Sequence, residues 1–513
     1  MNIQNITQQY LKLFPGDFSG NTIQRQTPKV LFATVKPAGF QNPELILFND
    51  KLSEEIGLGS FNETDLDFLV GNRLPDNIQT YATAYAGHQF GNWAGQLGDG
   101  RAIYAGEITN AEGKTTEIQW KGAGATPYSR FADGRAVLRS SVREYLISEA
   151  MYHLGVPTTR ALSLCFTGEE VVRDMMYNGN PQAEKGAVII RTAESFLRFG
   201  HFELLSAQKE TATLQSLADF AIKNYFKEID ENSPKKYHEF FQKIAKDTAD
   251  LMVAWFRVGF VHGVMNTDNM SILGLSIDYG PFSMMDDFDL NFTPNTTDLP
   301  GRRYAFGKQP QIAQWNLWQL ANALFPLIKD AEFLEQTLDD FSQYFWQKHD
   351  RMMADKFGFE ELLEEDANFF QHWQEMMIRL RMDYTLFFHW LEKPHEEREV
   401  SRFLQEVSYL RYEPKHEEDL RNFLGLYEKR IAKNTFSREQ SIALMKKNNP
   451  KFILRNYLLY ECIEDLNNGN KEKLYQLWDA LQSPYEEKQP EFSRKRPEEY
   501  DGTPGCSQLS CSS

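Results

Sequence analysis

Glu117-Ile118-Gln119-Trp120-Lys121 alternates polar and apolar side chains, the period of a half-buried strand, and Gly122-Ala123-Gly124 ends it. From about Ala136 to His153 the spacing becomes helical, with Gly155 and Pro157 as stop signals. Further strands are expected at Lys29–Ala33, Ala161–Phe166 and Ala187–Thr192. The stretch 76–106 is glycine-dense. From about Ser216 the pattern turns helical: Lys243–Val258, the amphipathic Ile312–Ile328, and most of 330–480, including Lys451–Leu466. Beyond Gln482 the chain is polar and proline-containing and is expected to be loosely ordered. Strands, one helix, then many helices predict an α+β chain.

One segment sharpens this. His262 to Gly280, HGVMNTDNMSILGLSIDYG, aligns with a protein-kinase catalytic loop and D-F-G motif. Asn269 falls on the loop Asn, and Asp278-Tyr279-Gly280 on D-F-G. The position of the catalytic base is Val264, which accepts no proton. The fold class expected is therefore kinase-like and bilobal. An extension at 1–75 packs on a β-rich lobe at 76–205. A helical lobe follows at 206–330, then a helical extension at 331–485 and a flexible tail at 486–513.

The candidate chemistry follows that frame. Lys121 ends a strand and Glu144 sits mid-helix downstream, the order of the phosphate-binding Lys and its Glu partner. Asn269 and Asp278 offer the hard oxygens that Mg²⁺ takes alongside phosphate. Asp268 is either a replacement general base or a turn residue. His262 supports the loop. Gly98, Gly100 and Arg101 form the most loop-like part of the glycine cluster, suited to close approach by phosphates, without the ending of a Walker A loop. Asp133-Gly134 makes another turn. Arg191 and Arg198 either grip a terminal phosphate or form structural ion pairs. Asp286, Asp287 and Asp289 read as a solvated loop face rather than a metal site.

Bulk properties narrow the function. At 513 residues with 42% hydrophobic content, the chain can bury more than one ordinary core. A net charge of −17 argues against nucleic acid or an anionic membrane as main partner. No apolar run spans a bilayer, and the N-terminus lacks the pattern of a secretory or mitochondrial leader, so the cytoplasm is the expected location. Four cysteines form no disulfide framework: Cys165 and Cys462 read as core residues, whereas Cys506 and Cys511 lie in the polar tail.

The chain also resembles the selenoprotein O family of protein adenylyltransferases. YAGHQFGNWAGQLGDGRA from Tyr85, KGAGATPYSRFADGRAVLRSSVREYL from Lys121, RTAESFLRFGHFE from Arg191, VHGVMNTDNMSILGLSIDYGPF from Val261, GRRYAFGKQPQIAQWNL from Gly301, PKFILRNYLLYECIE from Pro450 and the terminal Cys511-Ser512-Ser513 carry the resemblance. It implies transfer of AMP from ATP to Ser, Thr or Tyr hydroxyls of target proteins, with ATP flipped relative to a kinase. It implies that Gly98, Gly100, Arg101, Lys121, Asp133, Gly134, Arg191, Arg198 and Asp278 hold the nucleotide and that Glu144 pairs with Lys121. Asn269 and Asp278 would hold Mg²⁺ or Mn²⁺, and Asp268 would accept the proton. Protein substrates, redox-related ones among them, self-modification and a monomer are the expected associations. Two departures stand out. Cys511 occupies the position that is selenocysteine in many members, and Pro294 stands where a latch cysteine is expected, leaving a Cys506–Cys511 pair as an alternative. A phosphotransferase, a UMP transferase and a catalytically silent nucleotide-binding scaffold remain the alternative readings.

Overall fold

The computed structural model describes residues 1–394 and 397–510. Its centre is a twisted nine-stranded sheet. The strands in chain order are β1 (Gly16–Asp17), β2 (Phe32–Thr34), β3 (Glu44–Phe48), β4 (Tyr81–Thr83), β5 (Ala86–Gln89), β6 (Asn92–Gln96), β7 (Ala102–Thr109), β8 (Thr115–Lys121), β9 (Ala136–Val137), β10 (Arg160–Arg173), β11 (Gln182–Ala193), β12 (Phe260–Val261) and β13 (Ser283–Met284). The sheet order is β1-β2-β4-β7-β8-β11-β10-β3, with β9 added to β11. β5–β6 and β12–β13 are separate two-stranded pairs.

Both faces of this sheet are covered, and strand alternation decides which residue goes where. Ile118, Trp120, Val188 and Ile190 pack with Ile3, Ile6 and Phe68 from the N-terminal residues. Leu164, Ala187 and Ile189 point the other way, into a core shared with Leu138, Val142, Tyr145 and Leu146 of the helix Leu138–His153. The first 75 residues do more than pack on the sheet. They supply β1, β2 and β3, and β3 pairs with β10.

The helix Lys236–Val258 buries Phe240, Phe241, Ile244, Ala245, Ala249 and Met252, then stops at Gly259 in the left-handed conformation (φ 73°). The chain enters β12, and the loop between β12 and β13 carries the kinase-like residues. The helix Gln309–Ile328 braces that loop: Gln309 Oε1 accepts from His262 N (3.0 Å), and Asn316 Nδ2 donates to Met265 O (3.0 Å). Beyond it, Phe357, Phe359, Phe369, Trp373, Phe388 and Tyr427 build a second, aromatic core.

Several elements differ from the sequence-based expectation. The glycine-dense stretch holds β4, β5, β6 and the start of β7. The expected strand at Lys29–Ala33 lies at Phe32–Thr34, and the helix starts at Leu138 because Ala136–Val137 pairs with β11. Lys451–Leu466 is helical only in Asn456–Asn467, since Phe452, Ile453 and Leu454 are buried in extended chain. The tail packs rather than floats: Phe492, Cys506 and Leu509 are buried, and Leu509 O accepts from Thr296 N (2.8 Å) and Thr296 Oγ1 (2.9 Å). Cys511 lies outside the described residues. Among the described residues, no helix is long and apolar enough to cross a membrane.

Candidate active site

A cleft of about 560 Å³ opens between the sheet and the β12–β13 loop. Gly98, Gly100, Arg101, Lys121, Gly134, Arg191, Asp268, Asn269 and Asp278 line it, as does Val264. That volume is in the range of small-molecule sites.

Its floor is a buried charge cluster. Lys121 closes β8, and its ammonium lies 2.5 Å from Glu144 of the helix Leu138–His153 and 3.6 Å from Asp278. On the adjacent strand Arg191 stands opposite Gln119, two residues before Lys121, and Gln119 Oε1 accepts from Arg191 Nε (2.5 Å). Arg191 also donates to Glu144 (3.0 Å) and to Asp278. Arg198 donates to Asp278 and to Asp268 O (2.8 Å), and its guanidinium lies over Tyr85. Its Nε and Nη2 have no acceptor although Arg198 is only 1% exposed. Burial pushes the Asp278 carboxyl up, but Arg198, Arg191 and Lys121 together outweigh it and hold the group well below the ordinary range. Burial moves Lys121 down to about 8, against the opposing pull of Glu144 and Asp278.

The β12–β13 loop places the remaining groups. His262 Nε2 meets Ile277 O (2.9 Å) and its Nδ1 accepts from Val264 N (3.4 Å), so it holds the loop and faces no substrate. Asn269 Nδ2 donates to Val264 O (2.9 Å), leaving the amide oxygen as the free ligand atom. Asp268 lies in a short 3₁₀ turn, Thr267–Asn269. Gln89 Nε2 donates to its Oδ2 (3.1 Å), while its Oδ1 is buried without a partner. Burial raises the Asp268 carboxyl to about 6.

The glycines answer to protein as much as to any ligand. A β-carbon on Gly98 (φ 153°) would lie 2.4 Å from the Tyr128 ring, and one on Gly100 would lie 2.9 Å from Tyr128 O. The 126–129 turn therefore packs directly on this loop and fixes it. Asp133 is not on the cleft wall. It is exposed and pairs with Arg173 (2.6 Å), tying the 130–135 turn to the long β10–β11 ribbon. Cys506 is also elsewhere, buried in the main core with its thiol raised to about 12 by burial, the setting of an unreactive cysteine. Cys165 and Cys462 are fully buried as well. Asp286 pairs with Arg455 (2.6 Å) and Arg496 (2.9 Å), and Asp287 with Arg381 (2.7 Å). Asp289 closes a turn on Asn291 N (2.8 Å). Asp286 is thus part of an ion-pair network rather than a solvated face, and no group of three or more metal-ligating side chains occurs among the described residues.

Sequence reasoning passed over Gln119, Gln89 and Asp99. Gln119 was readable, because alternation puts it on the face of Lys121. Gln89 and Asp99, the latter buried with its carboxylate on Thr83 N (2.9 Å) and Thr83 Oγ1 (2.5 Å), carry no local signal.

Comparison with known proteins adds a family. The family model described as protein adenylyltransferase SelO matches residues 20–482. A protein nucleotidyltransferase YdiU of Cytophaga hutchinsonii is 47% identical over 514 residues, covering 99% of both chains. Proteins of the same description from Aromatoleum aromaticum and Flavobacterium johnsoniae are 44% and 42% identical, again over 99% of both chains.

Proposed function

The chain belongs to the protein adenylyltransferase SelO family and is a protein nucleotidyltransferase; on that premise we propose that it moves AMP from ATP to side-chain hydroxyls of proteins, with Asp268 as the proton acceptor. The observation that carries this reading is Asp268, whose carboxylate keeps one oxygen without a partner, on the wall of a cleft that Lys121 and Arg191 also line. Lys121 and Arg191 line the buried end of the cleft, with Arg198 behind the wall on Asp278, so the triphosphate tail goes in first and the nucleoside points to the mouth. Arg198 does not itself line the cleft; it holds Asp278 from behind, so its positive charge acts on the phosphates through that carboxylate's position. Glu144 holds Lys121 and Arg191 in place before substrate arrives.

The Asp268 carboxylate takes the proton from the acceptor hydroxyl. The hydroxyl oxygen bonds to the α-phosphorus, the α–β bridging P–O bond breaks, and pyrophosphate carries away that electron pair. Lys121 and Arg191 stabilise the charge that develops on it, the general logic of phosphoryl transfer. Asn269 Oδ1 and the Asp278 carboxylate are hard oxygens on one wall, and they would hold Mg²⁺ or Mn²⁺. Bound there, the cation supplies charge neutralisation at the phosphates. Val264 leaves the kinase-base position apolar, which moves proton transfer to Asp268.

We read the protein as a cytoplasmic monomer acting on redox-related proteins and on itself; its acidic balance, and the absence among the described residues of a helix long and apolar enough to cross a membrane, agree with that setting. The test uses purified protein with Mg²⁺ and ATP labelled at the α- or the γ-phosphate. Label reaching protein only from the α-position is expected. Label arriving only from the γ-position overturns AMP transfer in favour of a phosphotransferase.

A further inference from the structure

The hairpin β5–β6 stands apart from the main sheet and is pinned onto the catalytic loop. His88 N donates to Thr267 Oγ1 (2.7 Å), Phe90 N donates to Asn266 Oδ1 (3.1 Å), and Gln89 reaches Asp268. Only β5 makes these contacts. β6 faces outward, with Asn92, Trp93 and Ala94 exposed, Trp93 by 47%. Phe90 (φ 50°) and Gly91 (φ 83°) form a two-residue primed turn. That turn makes Gln89–Asn92 the hydrogen-bonded closing pair and His88–Trp93 the next, non-bonded pair. The Trp93 N–H and C=O therefore point away from β5, along an edge that pairs with no other strand among the described residues, although Gln96 farther along β6 bonds Thr27.

Charge is arranged around this edge. Arg130 Nη2 donates to Gln89 Oε1 (3.3 Å), and the Arg303 guanidinium carbon lies 3.3 Å from where a Gly91 β-carbon would be. Neither arginine has a carboxylate partner among the described residues, while most other arginines here do. Arg25, Gln96, Tyr128 and Arg130 also wall a groove of about 250 Å³, which shares Leu97, Tyr128 and Arg130 with the nucleotide cleft. On a chain of net charge −17, unpaired arginines beside an open strand edge mark a place for a negative partner.

We propose that the β6 edge and the adjoining arginine-walled groove dock an extended acidic segment of the acceptor protein, which adds to β6 as a strand and carries its hydroxyl into the cleft. This rests on the protein-transferase reading above. Main-chain bonds to Trp93 supply affinity without sequence demand, and Arg130 and Arg303 select acidic flanks. Gln89 links the dock to the base, since it contacts Arg130 through Oε1 and Asp268 through Nε2.

The test uses two synthetic peptides, each with one serine, flanked by glutamates in one and by lysines in the other. Transfer is followed with α-labelled ATP, and self-labelling of the enzyme reports that the chemistry works. The glutamate peptide is expected to show a kcat/KM roughly tenfold higher, a gap that narrows at high salt. Arg303→Glu should erase the preference through KM, with nucleotide binding and self-labelling unchanged. Trp93→Pro, which removes the outward N–H, should raise peptide KM well beyond Trp93→Ala, which keeps it. A thermal melt of each variant checks folding. Equal use of both peptides, a preference untouched by Arg303→Glu, or self-labelling without labelling of either peptide overturns the dock and leaves the activity standing. Absence of α-label from peptides and enzyme alike instead overturns the activity on which the dock rests.

Discussion

Gly87 lies against Asp268 so closely that a β-carbon on Gly87 would be 2.8 Å from Asp268 Oδ1 and 3.0 Å from its Cβ. β5 thus presses its backbone onto the residue read as the base. The glycine is there for that approach, since a side chain at 87 would have to displace the carboxylate.

Gly87→Ala should shift Asp268 while leaving the nucleotide floor intact. The expected outcome is a fall in transfer of about 100-fold, the cost of an ångström-scale misplacement, with nucleotide affinity changed little. Calorimetric titration with ATP alongside the α-label assay reads both quantities. Normal turnover would disconnect Gly87 from the chemistry.

Asp268→Asn keeps the size of the side chain and removes its basicity. A loss of about 100- to 10,000-fold in the transfer step is expected, with ATP binding retained. Single-turnover labelling under saturating nucleotide is the measurement. Equal rates in the variant and the wild type would return Asp268 to a turn residue.

Glu144 is the anion shared by Lys121 and Arg191. Glu144→Ala leaves two buried cations with Asp278 as their nearby counter-charge, so destabilisation of roughly 3 kcal/mol is expected, the low end for a broken buried pair. Urea unfolding tests it. The same variant should also weaken ATP binding, because Lys121 loses the group that orients it.

Glu117 gives a pH dependence remote from the cleft. It accepts from Phe196 N (3.0 Å), Ser195 Oγ (3.1 Å) and Tyr225 OH (3.2 Å), and stands opposite Glu107 across the β7–β8 ladder. Burial raises its carboxyl from 4.5 to about 7. The folded state therefore holds the proton more tightly than the unfolded state. This group's contribution is complete below about pH 4.5 and is lost as pH rises to about 7. Glu117→Gln mimics the neutral acid and should gain roughly 2 kcal/mol on the wild type between pH 5 and pH 8. Urea midpoints at the two pH values decide it, and a constant difference would place the ionisation outside the folding equilibrium.

Much of the core was legible because its periods are strong. The alternation of Glu117–Lys121 and the helical spacing before His153 come from burial on one face at a time, which a local pattern records. The hairpin β5–β6 was not legible. Its sequence is glycine-rich because backbone lies against Asp268 and because Gly91 turns the chain, and both causes look like a loop when read locally. The segment Lys451–Arg455 failed for another reason: its apolar residues are buried in extended chain by the tail and neighbouring loops, contacts a local window does not contain.

The residue types of the site, their order along the chain, the apolar Val264 at the kinase-base position and, through long motifs, the family are all written in the linear chain. Which charges share one volume is settled by folding. Lys121, Glu144, Arg191, Arg198 and Asp278 come from two strands, a helix and two loops, and electrostatic coupling depends on distance in space rather than along the chain. It also took Asp133 to the rim and Cys506 into the core, because burial is set by what the remainder of the chain packs over each position.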